Sequence, residues 1–439
     1  MVNRLFQFLT SLKLTVGCLA VSMVLVFVGT IAQVDEGLYA AQERYFKSFL
    51  IYLEPANGGW LIPIFPGGYA VGLLLLVNLI AAHGKRFKIA KKKFGIFLTH
   101  AGLILLLVGQ LFTDLLSRES ALDFEEGETK NFSIDFRKSE LVLIDKSAEE
   151  TDTIYSVPES RLKKGATISD AKLPFRIEVR DYWVNSNIFG KQTAGAATTI
   201  ANQGPAKDFF VLPLDPVTEM ETRDQPSAVV ELFDGDQSIG IWLTSAILKP
   251  QTVEHDGKSF DLSLRFKRYY EPFSLTLLKA THDNYKGTEL PKNFSSRVRL
   301  RNEATNEDRE VLIYMNHPLR YGGLTFYQHQ MTAGDLARQH GLTPTSTLQV
   351  VRNPTWLTPY LACLMVGFGL LIQFMMHLAG FLRKQRSKDA AAPPDTLSSK
   401  KQKKSNQSKR SAGQAAKKSC RQKEPMTVQV TRTAEGESA

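Results

Sequence analysis

The stretch "FGIFLTHAGLILLLVGQLFTDLL" (Phe94–Leu116) decides how this sequence is read. It carries no acid or base before Asp114 apart from one histidine, His100. As a helix it is long enough to cross a hydrocarbon core about 30 Å thick. A polar backbone has no water to bond at that depth, so a helix is the form to expect. Working outward, three further windows share this character: Leu14–Gln33, a stretch ending at Ala82, and Trp356–Leu378. The second is interrupted, because Pro63, Pro66, Gly67 and Gly68 separate the clean run Gly68–Ala82 from Trp60. It reads as a short or broken span that starts at an interfacial aromatic, Trp60 or Tyr69. The first window reads as a retained span: its exit Thr30-Ile31-Ala32 is a poor cleavage site. Lys13 likewise spoils the apolar run that a lipoprotein box ending at Cys18 would need.

Basic residues near the span ends orient such a chain. The loop His83–Lys93 holds Lys85, Arg86, Lys88, Lys91, Lys92 and Lys93 with no acid, and the tail after the last span opens on Arg383, Lys384, Arg386 and Lys388. Both termini are therefore expected in the cytoplasm. Residues 113–355 hold 29 Lys and Arg against 35 acids, a net of −6, whereas the whole chain is +10. The excess cation thus sits beside the membrane, which excludes the nucleic-acid reading that a basic chain invites. It suits contact with anionic membrane lipid.

The fold class that follows is membrane α-helical, with four transmembrane helices, plus a large antiparallel β-rich extracytoplasmic domain. The expected divisions are 1–33 (N-terminus and first span), 34–59 (external loop), 60–82 (second span), 83–93 (basic cytoplasmic loop), 94–116 (third span), 117–355 (β-rich domain), 356–378 (fourth span) and 379–439 (disordered basic tail). Strand signals recur through the β-rich segment, at Glu140–Ile144, Phe175–Val179, Ala228–Phe233, Ile239–Leu243, Phe260–Phe266, Phe273–Leu278, Arg297–Arg301, Val311–Met315, Leu324–His329 and Thr347–Val351. Asn185–Gly204, rich in Gly, Ala, Thr and Asn, reads as a mobile loop.

Cys18, Cys363 and Cys420 all fall outside the β-rich segment. That segment therefore has no disulfide framework and no C-x-x-C pair, so thiol–disulfide exchange and self-attachment of haem are excluded. There is no nucleophile elbow, phosphate loop or paired-carboxylate signature. Ionisable groups inside a span are costly and are functional candidates by default, which singles out His100. Its imidazole could ligate an iron, or could be satisfied by a hydrogen bond between helices. Small neighbours, Thr99, Ala101 and Gly102, would let another helix or a flat ligand come close. His83 and His377 close the second and fourth spans at the same membrane level, where histidines also occur simply because they reach water. His255, His282, His317, His329 and His340 show no metal-ligand spacing and read as surface or loop residues.

Four stretches carry a resemblance. They are "SLKLTVGCLAVSMVLVFVGTIAQ" (Ser11–Gln33), "KKFGIFLTHAGLILLLVGQ" (Lys92–Gln110), "YKGTELPKNFSSRVRL" (Tyr285–Leu300) and "NHPLRYGGLTFYQHQ" (Asn316–Gln330). They resemble ResB/CcsB-type cytochrome c biogenesis proteins. The first reads like that family's S-L-K…G-T-x-x-P-Q span, with Ala32 where the proline is usual. The last, N-x-P-L…G-x-x-F-Y-Q, is the most specific. The resemblance implies a multi-pass protein of the bacterial cytoplasmic (inner) membrane acting in the System II route. There, with a ResC/CcsA-type partner, it would move haem to the outer face for thioether attachment to apocytochrome c. It also implies haem b as a transiently held group, with His100 as an axial ligand and the partner supplying the trans ligand. His377 or His83 is a weaker choice for that second ligand. The chain's four tryptophans form no cluster of the kind that marks the ResC/CcsA half, so by itself it is not expected to be an enzyme. Two other readings stay open: a b-type haem electron-transfer subunit with both ligands in this chain, and a cofactor-free membrane-anchored scaffold.

Overall fold

A computed structural model describes residues 2–53, 62–86, 93–148, 151–220, 222–285, 291–332, 338 and 341–390. The chain divides into two compact units, one built from residues 1–88 and 100–366, the other from 89–99 and 367–439. Trp60, Lys88, Lys91, Lys92, His340 and the basic tail beyond Ala390 lie outside the described residues.

In the larger unit a short helix, α1 (Val2–Leu9), leads into α2 (Leu12–Glu36), and Ser11 caps α2 by accepting a hydrogen bond from Lys13 N. The break between them leaves backbone carbonyls without helical partners. Asn78, fully buried in α4 (Gly68–Arg86), takes them up: its Nδ2 donates to Leu9 O at 2.6 Å and Ser11 O at 3.2 Å. Its Oδ1 accepts from Thr15 Oγ1 at 2.6 Å. After α2 come α3 (Leu38–Ala41), a wide turn at Gln42–Phe46, and a hairpin of β1 (Leu50–Leu53) with β2 (Ile62–Pro66). Leu25, Ala41, Tyr45 and Ile51 form a small core there. The proline segment expected to open a second span at residue 60 is thus partly a strand, and the helix starts only at Gly68. Prolines lack the N–H that an interior helical turn needs, whereas an edge strand accepts them.

Two more long helices follow, α5 (Phe94–Leu116) and α6 (Thr358–Ala390). Among the described residues α2, α4, α5 and α6 are the four helices long and apolar enough to cross a membrane. α5 keeps the bounds expected of it. α6 runs on to Ala390, well past residue 378, because the Lys- and Arg-rich segment after the apolar run is made of good helix formers.

Between α5 and α6 lies an antiparallel β domain. Its largest sheet has a spine of eight strands ordered β16 (Glu307–Tyr314), β15 (Pro291–Asn302), β14 (Lys258–Asn284), β4 (Thr129–Asp145), β3 (Arg118–Glu125), β19 (Thr345–Arg352), β18 (Leu324–Met331) and β17 (Leu319–Tyr321). To these add β13 (Gln251–His255) on β14 and β5 (Thr153–Pro158) on β4. A second sheet, β12 (Gln237–Ser245), β11 (Ser227–Asp234), β7 (Arg176–Trp183) and β6 (Thr167–Ile168), covers the part made by β13, the start of β14, the end of β4 and β5. Leu141, Leu143 and Leu262 of one sheet and Ile177, Val230 and Leu232 of the other fill the space between. The rest of the large sheet instead curls around its own core, including Leu277, Val298, Leu300, Ile313 and Leu348. β14 serves both cores. Pro272 falls where its register against β4 shifts, between Tyr270 and Leu275, and so marks the passage from one core to the other. All ten expected strand segments fall within or against observed strands.

The segment 185–204 is only in part the loop expected of it. β8 (Ser186–Phe189) and β9 (Ala197–Thr198) both pair with β10 (Phe210–Pro213) in a third sheet. Composition pointed to a loop, but backbone pairing with a later strand overrides it. The domain begins and ends side by side, with Arg118 opposite Arg352 in the β3–β19 ladder.

Candidate functional site

α4 and α5 bring two of the expected histidines together. The rings of His83, near the end of α4, and His100, in the second turn of α5, have centroids 5.7 Å apart and planes inclined by 33°. Both are half-buried. By helical rise each lies about 21–23 Å along its helix from the ends nearest the β domain, Gly68 and Asp114. The pair therefore sits toward the opposite end of these helices, the end that carries the cation Lys85. Lys85 Nζ bonds Thr10 Oγ1 at 3.2 Å and lies 5.5 Å from the Phe6 ring centre, which ties α1 to the same level.

The small residues around His100 serve a helix contact. Within the larger unit, a Cβ on Gly102 would lie 2.8 Å from Val366 Cγ2 and 2.9 Å from Ala362 O, and one on Gly109 would run into Thr358. Within the smaller unit, one on Gly95 would lie 2.6 Å from Gly369 O. Gly95, Gly102 and Gly109 recur every seven residues, the spacing that keeps one stripe of a helix against a neighbour. That spacing was visible in the sequence and would have marked this face of α5 for close packing. The third histidine, His377, is exposed on α6, and Gln373 Nε2 donates to its Nε2 at 2.7 Å.

In the β domain the described histidines do not converge. His255 pairs with Asp234 at 2.9 Å in an exposed turn, His282 stacks on Phe294 at 4.4 Å, and His317 stacks on Tyr314 at 4.1 Å. A deeper polar group lies where the domain meets α5. Tyr269 Oη donates to Asp135 Oδ2 at 2.6 Å, beneath an Arg118 guanidinium 3.8 Å from the ring centre. Burial, followed by the bond to Asp135, pushes the Tyr269 hydroxyl well above the usual phenol range, so it stays a donor.

Residues 245–347 match the ResB-like family. Over that stretch the chain is similar to ResB-like proteins. It is also similar to protein NrfI of Wolinella succinogenes, with 22% identity over 262 residues that cover 59% of this chain and 25% of that protein. The chain thus spans about a quarter of the length of that curated relative. The four helices apolar enough to cross a membrane, together with this match, point to a membrane protein.

The matched region runs from β13 into the start of β19 and takes in β15 to β18, which supply much of the second core. Its motif residues there are structural. Asn316, at φ 63°, turns the chain between β16 and β17, and Gly322 and Gly323, at φ 58° and 75°, turn it between β17 and β18. Phe326 is buried, and Tyr321 meets Phe273 edge-on with ring centres 4.9 Å apart. The family is therefore recognised by how its domain turns and packs, while the candidate ligands sit in a different part of the chain.

Two imidazoles at one level of adjacent spans fit the donor chemistry of an axial site for haem, since either can present a neutral nitrogen to iron. The set is also compatible with a single axial ligand, His100, steadied by His83.

Proposed function

We propose that this ResB-like chain works in cytochrome c biogenesis, taking haem as cargo within the membrane and, with a ResC/CcsA-type partner, passing it to the outer face for attachment to apocytochrome c. The observation that carries this reading is the meeting of His83 and His100 between two spans, at the end marked by Lys85. The basic end is the cytoplasmic one by the distribution of Lys and Arg, which puts the β domain outside. His100 binds the iron, and the nearby ammonium groups attract the propionates. The glycine stripe fixes α5 against α6 and so sets the height at which His100 is presented. The β domain stands where the apoprotein arrives, and its edge strand β16 offers backbone groups to an extended segment.

A second reading draws on the same pair. Because His83 supplies a facing imidazole within this chain, a b-type haem with both ligands here would make the protein an electron-transfer subunit. The absorption spectrum of the purified chain, alone and with the presumed partner, tests both. Split haem bands that require the partner and vanish in His100→Ala are the expected result. Full haem content without the partner, lost equally in His83→Ala and His100→Ala, would replace it by the b-type reading. Haem absent from every preparation, or unchanged by His100→Ala, would overturn both and favour a scaffold.

A further inference from the structure

At the other end of the same helices, nearest the β domain, a cavity of about 840 Å³ opens between α2, α4, α5 and the segment Gln42–Phe49. That volume is within the range of small-molecule sites, about 300–1,000 Å³. From Asp114 down to Leu107 it follows α5 for about 10 Å along the helix axis. Its inner part is apolar, with Val26, Leu73, Leu76, Leu107 and Leu111 as walls. Its outer end is polar and carries the only acid of α5, Asp114.

The polar end has a definite arrangement. Tyr69 Oη donates to Asp114 Oδ2, while Asp114 Oδ1 faces Lys47 Nζ at 3.9 Å, beyond hydrogen-bond range. Lys47 Nζ donates instead to Glu43 Oε1 at 2.9 Å, and that bond first, offset by burial, holds the ammonium above its usual range. One cation against two carboxylates leaves a local charge of −1, which repels a phosphate head. Phe46 lines the same end, and Phe49 meets Tyr69 at 5.7 Å between ring centres, so aromatic faces flank the space beside Asp114. A planar ring suits those faces better than a glycerol head does. Gly72 lines the cavity, and a Cβ there would meet no atom within 4 Å.

We propose that this cavity binds a membrane-soluble hydroquinone. Its ring lies between the aromatic side chains, one hydroxyl donates to Asp114 Oδ1, and its apolar tail runs along Leu73, Leu76 and Leu107 toward the middle of the membrane. The assignment does not rest on the haem reading, because none of these residues belongs to the histidine pair.

The test uses the full chain in nanodiscs of phosphatidylcholine with decylubiquinol as the probe, measuring bound hydroquinone by extraction and chromatography. Saturable binding is expected, weakened roughly tenfold or more in Gly72→Leu, where the new side chain fills the cavity. Asp114→Asn removes the charged acceptor and is expected to weaken binding severalfold. Gly17→Leu, equally open on α2 but outside the cavity, is expected to bind like the natural chain. Each variant is first checked for unchanged elution and melting, and Asp114→Asn carries the test if Gly72→Leu fails that check. Unsaturable uptake, natural affinity in both variants, or equal displacement by monooleoylglycerol or phosphatidylglycerol would overturn the proposal, the last by revealing a lipid site.

Discussion

The β domain and the four spans are held together by opposite means. In the domain, large side chains vanish completely: Leu277, Val298, Leu300, Ile313 and Leu348 are all inaccessible. In the spans, large apolar side chains stay on the outside, with Met23 73% and Phe27 65% exposed, and contact is made where side chains are smallest, at Gly102 against Ala362. Water explains the first pattern, since removing apolar area from it stabilises the fold by roughly 25 cal/mol per Å². Lipid explains the second. A leucine facing an acyl chain is already in apolar surroundings, so helices gain mainly by close approach. One chain thus shows two rules of packing, and the surrounding solvent decides which applies.

The contrast can be broken in three places. The largest effect is expected for Leu277→Ala, which hollows the second core and should cost about 2–5 kcal/mol in chemical unfolding of the β domain. A loss below about 1 kcal/mol would mean that this core is looser than its burial implies. Next, Gly102→Leu forces a side chain into Val366 and the Ala362 carbonyl and should cost about 1–3 kcal/mol of thermal stability in detergent. Gly17→Leu, facing open space, should cost nothing and gain slightly from helix propensity; equal losses at both positions would sink the close-approach argument. The smallest effect concerns acid. Burial raises the Glu231 carboxyl, but bonds from Ser238 and Arg180 and the Arg176 charge more than offset this, leaving it below the usual range. A carboxyl lowered on folding stabilises above its unfolded pKa of about 4.3 and loses that contribution as pH falls further. Replacing Glu231 with Gln should therefore flatten stability against pH below about 4, by on the order of 1 kcal/mol or less given the exposed Arg180 partner. An unchanged slope would assign the acid sensitivity elsewhere.

How much of this was legible in the sequence depends on how local the signal was. The bounds of α5 could be read directly, because an unbroken apolar run both forms the helix and ends it. Strand positions could also be read from alternation, yet Phe260–Phe266 and Phe273–Leu278 looked like two strands where there is one, since Pro272 interrupts the pattern without ending the strand. The paired strands within 185–204 were hidden because their partner, β10, follows at 210–213 and gives no sign of itself in that composition. His83 and His100 were each singled out as candidates. Their meeting was not legible, because it depends on how α4 rotates against α5, and the loop between them says nothing of that angle.

The β3–β19 ladder carries a consequence for how the protein is made. β3 leaves the membrane first, directly after α5, yet its partner β19 is the last strand before α6. Within the domain, the first strand made must therefore wait for the last, with one edge uncovered throughout. Closure over so long a sequence separation is slow, and an unpaired edge invites foreign strands. Synthesis of the final helix and completion of the sheet thus fall at nearly the same moment, so a chain halted short of α6 would be left open and anchored at one end only.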